Sequence, residues 1–356
     1  MPDVEFVGIG GPKMIAAGVR SLFPMERLAV RGYMEALRSL PAILRIRRQL
    51  KAHFLEAPPD LFIGVDAPDF NLDLEADLKK SGIPAFHYVS PSIWAWRGKR
   101  IHKIKKAVSR MLVVFPFEKA IYEKEGIPVS YVGFPLADVM PDDPDRAAAR
   151  EQLRISPKST VLALLPGSRQ SELHYMAELF IQTAKRLYQE NPSLLFLVPL
   201  ISRETRSIFE EALHRLKATE LPFKILFGHG HDAMVAANVV LVASGTATLE
   251  AALLKRPMVI TYKMSPTTWR MMWPRSYLPY VGLPNILAGR FVVPELLQDD
   301  ATPENLAQAV SNLLSDSTVQ AAMVDEFHRI HKALRQGNGE RVTEAIENFI
   351  QQRQVA

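Results

Sequence analysis

The chain contains no cysteine. That excludes disulfides, thiolate nucleophiles and cysteine-bound metal, and it fits a cytoplasmic protein. Long apolar runs are also missing. Stretches such as "MLVVF" (111–115) and "VLALL" (161–165) are too short to cross a bilayer. The first residues are acidic and strand-like, with no basic n-region, so no signal peptide is expected. No G-x-x-x-x-G-K-[ST] occurs, which argues against P-loop NTP hydrolysis. Neither H-E-x-x-H nor G-x-S-x-G is present. His229 and His231 in "FGHGHDAM" have no third ligand at useful spacing, so no metal is expected.

What is present is a globular composition: 356 residues, 48% apolar and 23% charged, enough for two domains with ordinary cores. The net charge of +5 suits an anionic partner, whether nucleotide, phospholipid surface or nucleic acid. Short apolar runs alternate with amphipathic stretches. A first strand series is expected at 4–9, 60–65, 84–89, 110–115 and 129–133, and a second at 160–165, 194–200, 223–227, 239–243 and 257–262. Two such series imply two α/β domains with parallel sheets, with the boundary near 140–155 in a Pro/Asp-rich stretch. From about 302 onward the pattern is helical.

Five stretches could carry chemistry. "ALLPGSRQSEL" (163–173) ends a strand at Pro166 and Gly167, then offers Ser168 and Arg169 before a helix. Ser168 could cap that helix, with Glu172 near a capping-box position. A helix N-terminus with an arginine fork suits a phosphate, although an ordinary turn reads the same way. "VASGTATLEAALLKRPMV" (242–259) repeats the arrangement with Ser244, Gly245 and Thr246, and puts Glu250 one turn into the helix, where it could accept from ribose hydroxyls. Two such turns at carboxyl ends of strands form the crevice where open α/β sheets bind ligands.

In "FIGVDAPDFNL" (62–72), Asp66 follows a buried strand and is a candidate general base, while Asp69 reads as a helix cap. "HYVSPSIWAWRGKRIHKIKK" (87–106) sets two tryptophans beside a basic run. It reads as a core tryptophan with a solvated helix face, a membrane interface or a nucleic-acid patch. Segment 22–54, with Leu22, Phe23, Met25, Leu28, Val30, Tyr33, Met34 and Leu37 among arginines, reads as amphipathic helix packed on a sheet. Exposed, it would suit acyl chains, and segment 264–284 has the same character.

Taken with "GVDAPDFN", "YVSPSIWAWR", "FPFEKAIYEKEGIPVSYVGFPLAD" and "LPNILAGR", these stretches resemble the lipid-A-disaccharide synthase family in order, from about residue 4 to the C-terminal helices. The resemblance implies an α/β GT-B glycosyltransferase fold: two Rossmann-like domains with parallel sheets facing across a cleft. The expected division is 1–150 for the acceptor- and membrane-facing domain, 151–325 for the UDP-sugar domain, and 326–356 for helices crossing back to the first domain. It implies inverting, metal-independent transfer from UDP-2,3-diacylglucosamine to 2,3-diacylglucosamine 1-phosphate (lipid X). The UDP-sugar is then a substrate and no cofactor is needed. The implied setting is the cytoplasmic face of the inner membrane, bound peripherally to phospholipid, with a homodimer left open and no nucleic acid.

By match to the family motifs, Asp66 would take the acceptor's proton or orient the acceptor. Arg169 would stabilise the leaving UDP, and Asn285 would point its amide into the cleft, with Arg290 nearby. Gly167, Ser168, Ser244, Gly245 and Thr246 would line the phosphates, and Glu250 would hold the ribose. The family pattern also opens with a strand and a Gly-Glu-x-Ser-Gly-Asp turn before the position matching Val4. Neither is in this sequence, which implies that 1–356 folds poorly and that an in-frame upstream extension rescues it. Two rivals fit parts of the pattern: another GT-B enzyme of UDP-sugars, such as an epimerase or peptidoglycan-type transferase, and a lipid- or nucleic-acid-binding protein.

Overall fold

Parallel strands carry the chain through three sheets in the computed structural model, which describes residues 4–28, 33–272 and 276–355. The strands are β1 (Val7–Gly8), β2 (Arg20–Ser21), β3 (Phe62–Val65), β4 (Ala85–Tyr88), β5 (Arg110–Val113), β6 (Val129–Tyr131), β7 (Thr160–Leu165), β8 (Leu194–Leu200), β9 (Phe223–Phe227), β10 (Val239–Ala243), β11 (Met258–Tyr262) and β12 (Glu295–Leu297). The sheets run β1-β2, β3-β4-β5-β6 and β12-β11-β10-β7-β8-β9. The expected strand at 4–9 is therefore only two residues long, and it pairs with Arg20–Ser21 rather than with β3. Neither β2 nor β12 was expected, because "RS" and "ELL" are too short to show a period.

In the six-stranded sheet, β7, β8, β10 and β11 are near-continuous apolar runs because helices cover both faces. Phe180, Phe196 and Phe209 are fully buried in its core. Truncating one of these to alanine costs about 3–5 kcal/mol. In the first half, helix Tyr33–Glu56 buries Ile46, Leu50 and Phe54, spaced four apart, against Leu74, Leu78 and Ile83. Of the apolar residues read in segment 22–54, Val30 and the side chains of Tyr33, Met34 and Leu37 lie outside the described residues. So do Trp273, Pro274 and Arg275 in segment 264–284.

The chain passes into the second half after β6 and returns at 335–338. The two passages are bonded to each other. The Asp138 carboxylate accepts from the backbone N–H groups of Gln336 (3.1 Å), Gly337 (3.0 Å) and Asn338 (2.6 Å). The Asn338 amide donates to the carbonyls of Val132 and Gly133. Gly133, at φ +82°, leaves no room for a Cβ, which would meet Gln336 Cβ at 2.6 Å and the Leu334 carbonyl at 2.8 Å. Helix Ser317–Leu334 packs on the second half, through Met323, Phe327 and Ile330. Helix Asn338–Val355 packs on the first sheet, laying Val342, Ala345, Ile346 and Phe349 on Phe86, Leu112 and Val132.

Candidate active site

Strand order makes a crevice in the second half. From β7 the chain winds outward through β8 and β9, then restarts at β10 and winds the other way through β11 and β12. β7 and β10 are neighbours, with Val242 beside Leu165. The turns that leave them, Pro166–Ser168 and Ser244–Thr246, thus flank the switch point, where open α/β sheets bind ligands. Gly245, at φ +151°, has open space where a Cβ would be, so the main chain there is accessible.

The two helix starts differ. Helix Gln170–Glu190 caps itself: the Glu172 carboxylate accepts from the backbone N–H groups of Ser168 (2.9 Å) and Arg169 (3.1 Å) and pairs with the Arg169 guanidinium (3.1 Å). The N-cap is Arg169, not the expected Ser168, because Ser168 still belongs to the turn. The Arg169 side chain remains 77% exposed. Helix Thr246–Leu253 starts at Gly245 with no side-chain cap, so its first N–H groups stay available for an anion. Tyr262, at the end of β11, has its phenol pushed upward by burial first and by the Glu172 carboxylate second.

Glu250 lies on that uncapped helix, and its Oε2 is 2.9 Å from His231 Nε2. This hydrogen bond raises the His231 pKa. His229 turns instead to Asp232 (2.8 Å), so the two histidines serve different carboxylates.

In the first half, Asp66 leaves β3 in an exposed, left-handed turn, with φ +48° at Asp66 and +41° at Ala67. Two such residues in succession are costly unless held. They are held from two sides: Asp66 N–H donates to the Tyr88 carbonyl (2.9 Å), and Asn71 Nδ2 donates to the Asp66 carbonyl (2.8 Å). Among the described residues the Asp66 carboxylate has no hydrogen-bond partner. Asp69 does not cap the helix Pro68–Lys80, because Ala67 occupies that position. Asp69 pairs with Arg100 instead (2.5 Å).

Sequence reasoning missed Glu118. It is buried at the carboxyl ends of β4 and β5, accepts from Trp94 Nε1 (3.0 Å) and Phe115 N–H (3.0 Å), and burial pushes its pKa up to about 7. Trp94 is therefore half-buried against the core, packed edge-on to Phe115 and Phe117. Trp96 differs, with the Arg97 guanidinium 4.1 Å above its ring.

Asn285 is not placed as expected. It is fully buried, donating to the Val293 carbonyl (2.9 Å) and Glu295 Oε1 (2.7 Å) and accepting from Val292 and Val293 N–H. Its amide faces the protein, because the 286–295 loop needs those bonds. Arg290 pairs with Glu326 (2.6 Å). The halves meet beside the tryptophan loop, where Tyr277 N–H donates to the Ala95 carbonyl (3.0 Å) and Gly98 N–H donates to Tyr277 Oη (3.2 Å). A separate groove of about 680 Å³ between β6 and helix Asn338–Val355, lined by Arg110, Tyr131 and Arg341 among others, contains none of the expected site residues.

A family of sequences described as lipid-A-disaccharide synthetase matches residues 1–349. The chain is 58% identical over 349 residues to the lipid-A-disaccharide synthase of Methylobacillus flagellatus, covering 98% of this chain and 92% of that protein. It is 57% identical over 350 residues to the one from Azoarcus sp., covering 98% and 90%. Among solved structures it resembles a putative UDP-N-acetylglucosamine 2-epimerase from Listeria monocytogenes (TM-score 0.63, 11% identity, 98% of this chain and 97% of that one). The UDP-GlcNAc 2-epimerase from Neisseria meningitidis bound to UDP-GlcNAc is similarly related (TM-score 0.60, 13% identity, 96% and 99%). At such identities the structures speak to the fold, which is GT-B.

Proposed function

The chain belongs to the lipid-A-disaccharide synthase family, as a hexosyltransferase of lipid A biosynthesis using a UDP-sugar, and from that premise we propose how its residues divide the reaction. The donor is UDP-2,3-diacylglucosamine and the acceptor is lipid X. The observation that carries the reading is the pair of turns at the β7/β10 switch point, one with an exposed arginine head and one with an uncapped helix start. The diphosphate sits over Gly245 and Thr246, where main-chain N–H groups and the helix dipole meet it. Gly167, Ser168 and Ser244 line the same crevice. Glu250 takes the ribose hydroxyls, giving up His231.

The acceptor's 6-hydroxyl attacks the anomeric carbon from the face opposite UDP. A new C–O bond forms, the bond to the diphosphate breaks, and the hydroxyl proton passes to Asp66. The configuration inverts to give a β-1,6 disaccharide 1-phosphate and UDP. Arg169 meets the charge that grows on the leaving phosphate, a contribution of about 3–4 kcal/mol when such a donor is well placed. The step needs no metal, because arginine and helix terminus supply the positive charge.

Both substrates carry acyl chains, so the protein works at the inner-membrane surface. Among the described residues no helix is long and apolar enough to cross a membrane. Exposed Met14, Ile15, Met25, Leu40 and Val65 in the first half, the last adjoining Asp66, favour acyl chains and lipid on that side. The basic residues Arg97, Lys99 and Lys106 favour anionic headgroups.

The test is UDP release from UDP-2,3-diacylglucosamine in detergent, with and without lipid X. Acceptor-dependent release that vanishes in Asp66→Ala supports the assignment. Folded protein that binds UDP yet releases none would favour a different sugar nucleotide.

A further inference from the structure

Beneath the Asp66 turn lies a buried pair that the reaction as described does not use. His87 on β4 places Nδ1 2.7 Å from Glu75 Oε1 on helix Pro68–Lys80, and both side chains are 0% exposed. Glu75 Oε2 and His87 Nε2 have no hydrogen-bond partner among the described residues. Sealed polar atoms of this kind are costly and call for a reason.

The surroundings supply one. His87 is the register partner of Gly64 on β3, two residues before Asp66. The Glu75 carboxylate lies against Gly64 so closely that a Cβ there would run into Oε1. One turn earlier on the same helix face, Asn71 holds the Asp66 carbonyl. One residue beyond His87, the Tyr88 carbonyl holds the Asp66 N–H. The pair thus ties together the helix and strand that grip the strained turn.

We propose that Glu75 and His87 are positioning residues for Asp66, fixing the helix Pro68–Lys80 against β4 so that the turn presents its carboxylate to the acceptor. The inference rests on the assignment of Asp66 to the acceptor's proton.

Its test replaces the pair by apolar residues of similar size, Glu75→Met with His87→Leu. Such exchanges of buried polar pairs are often neutral for stability. The expected result is a melting temperature within a few degrees of the parent, kcat lowered about ten-fold or more, and KM for the UDP-sugar within two-fold. Glu75→Gln, which keeps an acceptor for His87, should retain kcat within about three-fold. Parent kcat in the folded apolar variant would overturn the proposal. If that variant does not fold, Gly64→Ala decides, because its Cβ displaces Glu75 Oε1, the atom bonded to His87, from the strand side and so separates the pair without changing either residue. A folded Gly64→Ala with parent kcat refutes positioning, and one with lowered kcat and unchanged KM supports it. Asp66→Asn runs alongside. If it stays active, the Asp66 assignment itself fails; if it is dead while the pair variants turn over normally, only the positioning proposal fails.

Discussion

The Glu172 carboxylate reaches back over the start of its own helix, 3.1 Å from the Arg169 guanidinium, and occupies the N–H groups that a phosphate would otherwise take. The cap and the nucleotide therefore compete for one arginine. Glu172→Gln keeps the shape of the cap and removes its charge. UDP should then bind several-fold more tightly, and stability should fall by about 0.5–1 kcal/mol as the charge-assisted bonds weaken. Calorimetric titration and thermal melts check both. Weaker UDP binding in folded Glu172→Gln would mean that Glu172 aims Arg169 rather than restrains it.

Asn285 should behave as a structural residue. Asn285→Ala leaves the buried Val293 N–H and the part-buried Val292 N–H without their acceptor and strips Glu295 of a donor. The expected loss is about 2–3 kcal/mol of stability. Assayed cool enough to stay folded, the variant should keep kcat within a few-fold. A hundred-fold loss in folded protein would return Asn285 to the chemistry.

Glu118 predicts a pH dependence of stability. Its folded pKa is about 7, raised chiefly by burial from the ordinary 4.5. The folded state then holds the proton more tightly than the unfolded one. Glu118's contribution is fully present below about pH 4.5 and is lost as pH rises toward 7, a change on the order of 3 kcal/mol. Denaturant melts from pH 5 to 7.5 should show this decline superimposed on other titrations, and Glu118→Gln should flatten it. An unchanged slope in the variant would sink the assignment.

His231 predicts a pH dependence of UDP binding. Its pKa is raised first of all by the hydrogen bond to Glu250. If ribose displaces it, His231 loses that partner and its pKa falls in the complex. The free protein then holds the proton more tightly, so acidification through the raised pKa should weaken UDP binding, with proton release on association. Titrations in buffers of different ionisation heat measure the proton directly. A His231→Gln variant with the same pH profile would show that the two are unconnected.

The second half was largely legible in the sequence because its strands β7, β8, β10 and β11 are buried on both faces and stand out as apolar runs. Expected bounds for β7, β8, β9 and β10 agree with those observed. The first half was less so. Only Val7–Gly8 of the 4–9 stretch pairs, since a strand needs a neighbour as much as a pattern. In the site, the glycine turns were legible because Gly167 and Gly245 interrupt apolar runs. The bonds of Asn285, Glu172 and Glu118 were not, because what a polar side chain bonds to depends on how the chain folds back. For Asn285 that means a loop eight residues away, and for Glu118 a tryptophan from another turn.

The helix Asn338–Val355 follows every strand of the second half along the chain, yet it covers Phe86, Leu112 and Val132 in the first half. On the ribosome that apolar face stays bare until the whole second half has been translated. The first half cannot mature ahead of the second, and the nascent chain carries a sticky surface throughout. A stop codon just before Asn338 would remove no expected site residue and still leave the first half unfinished.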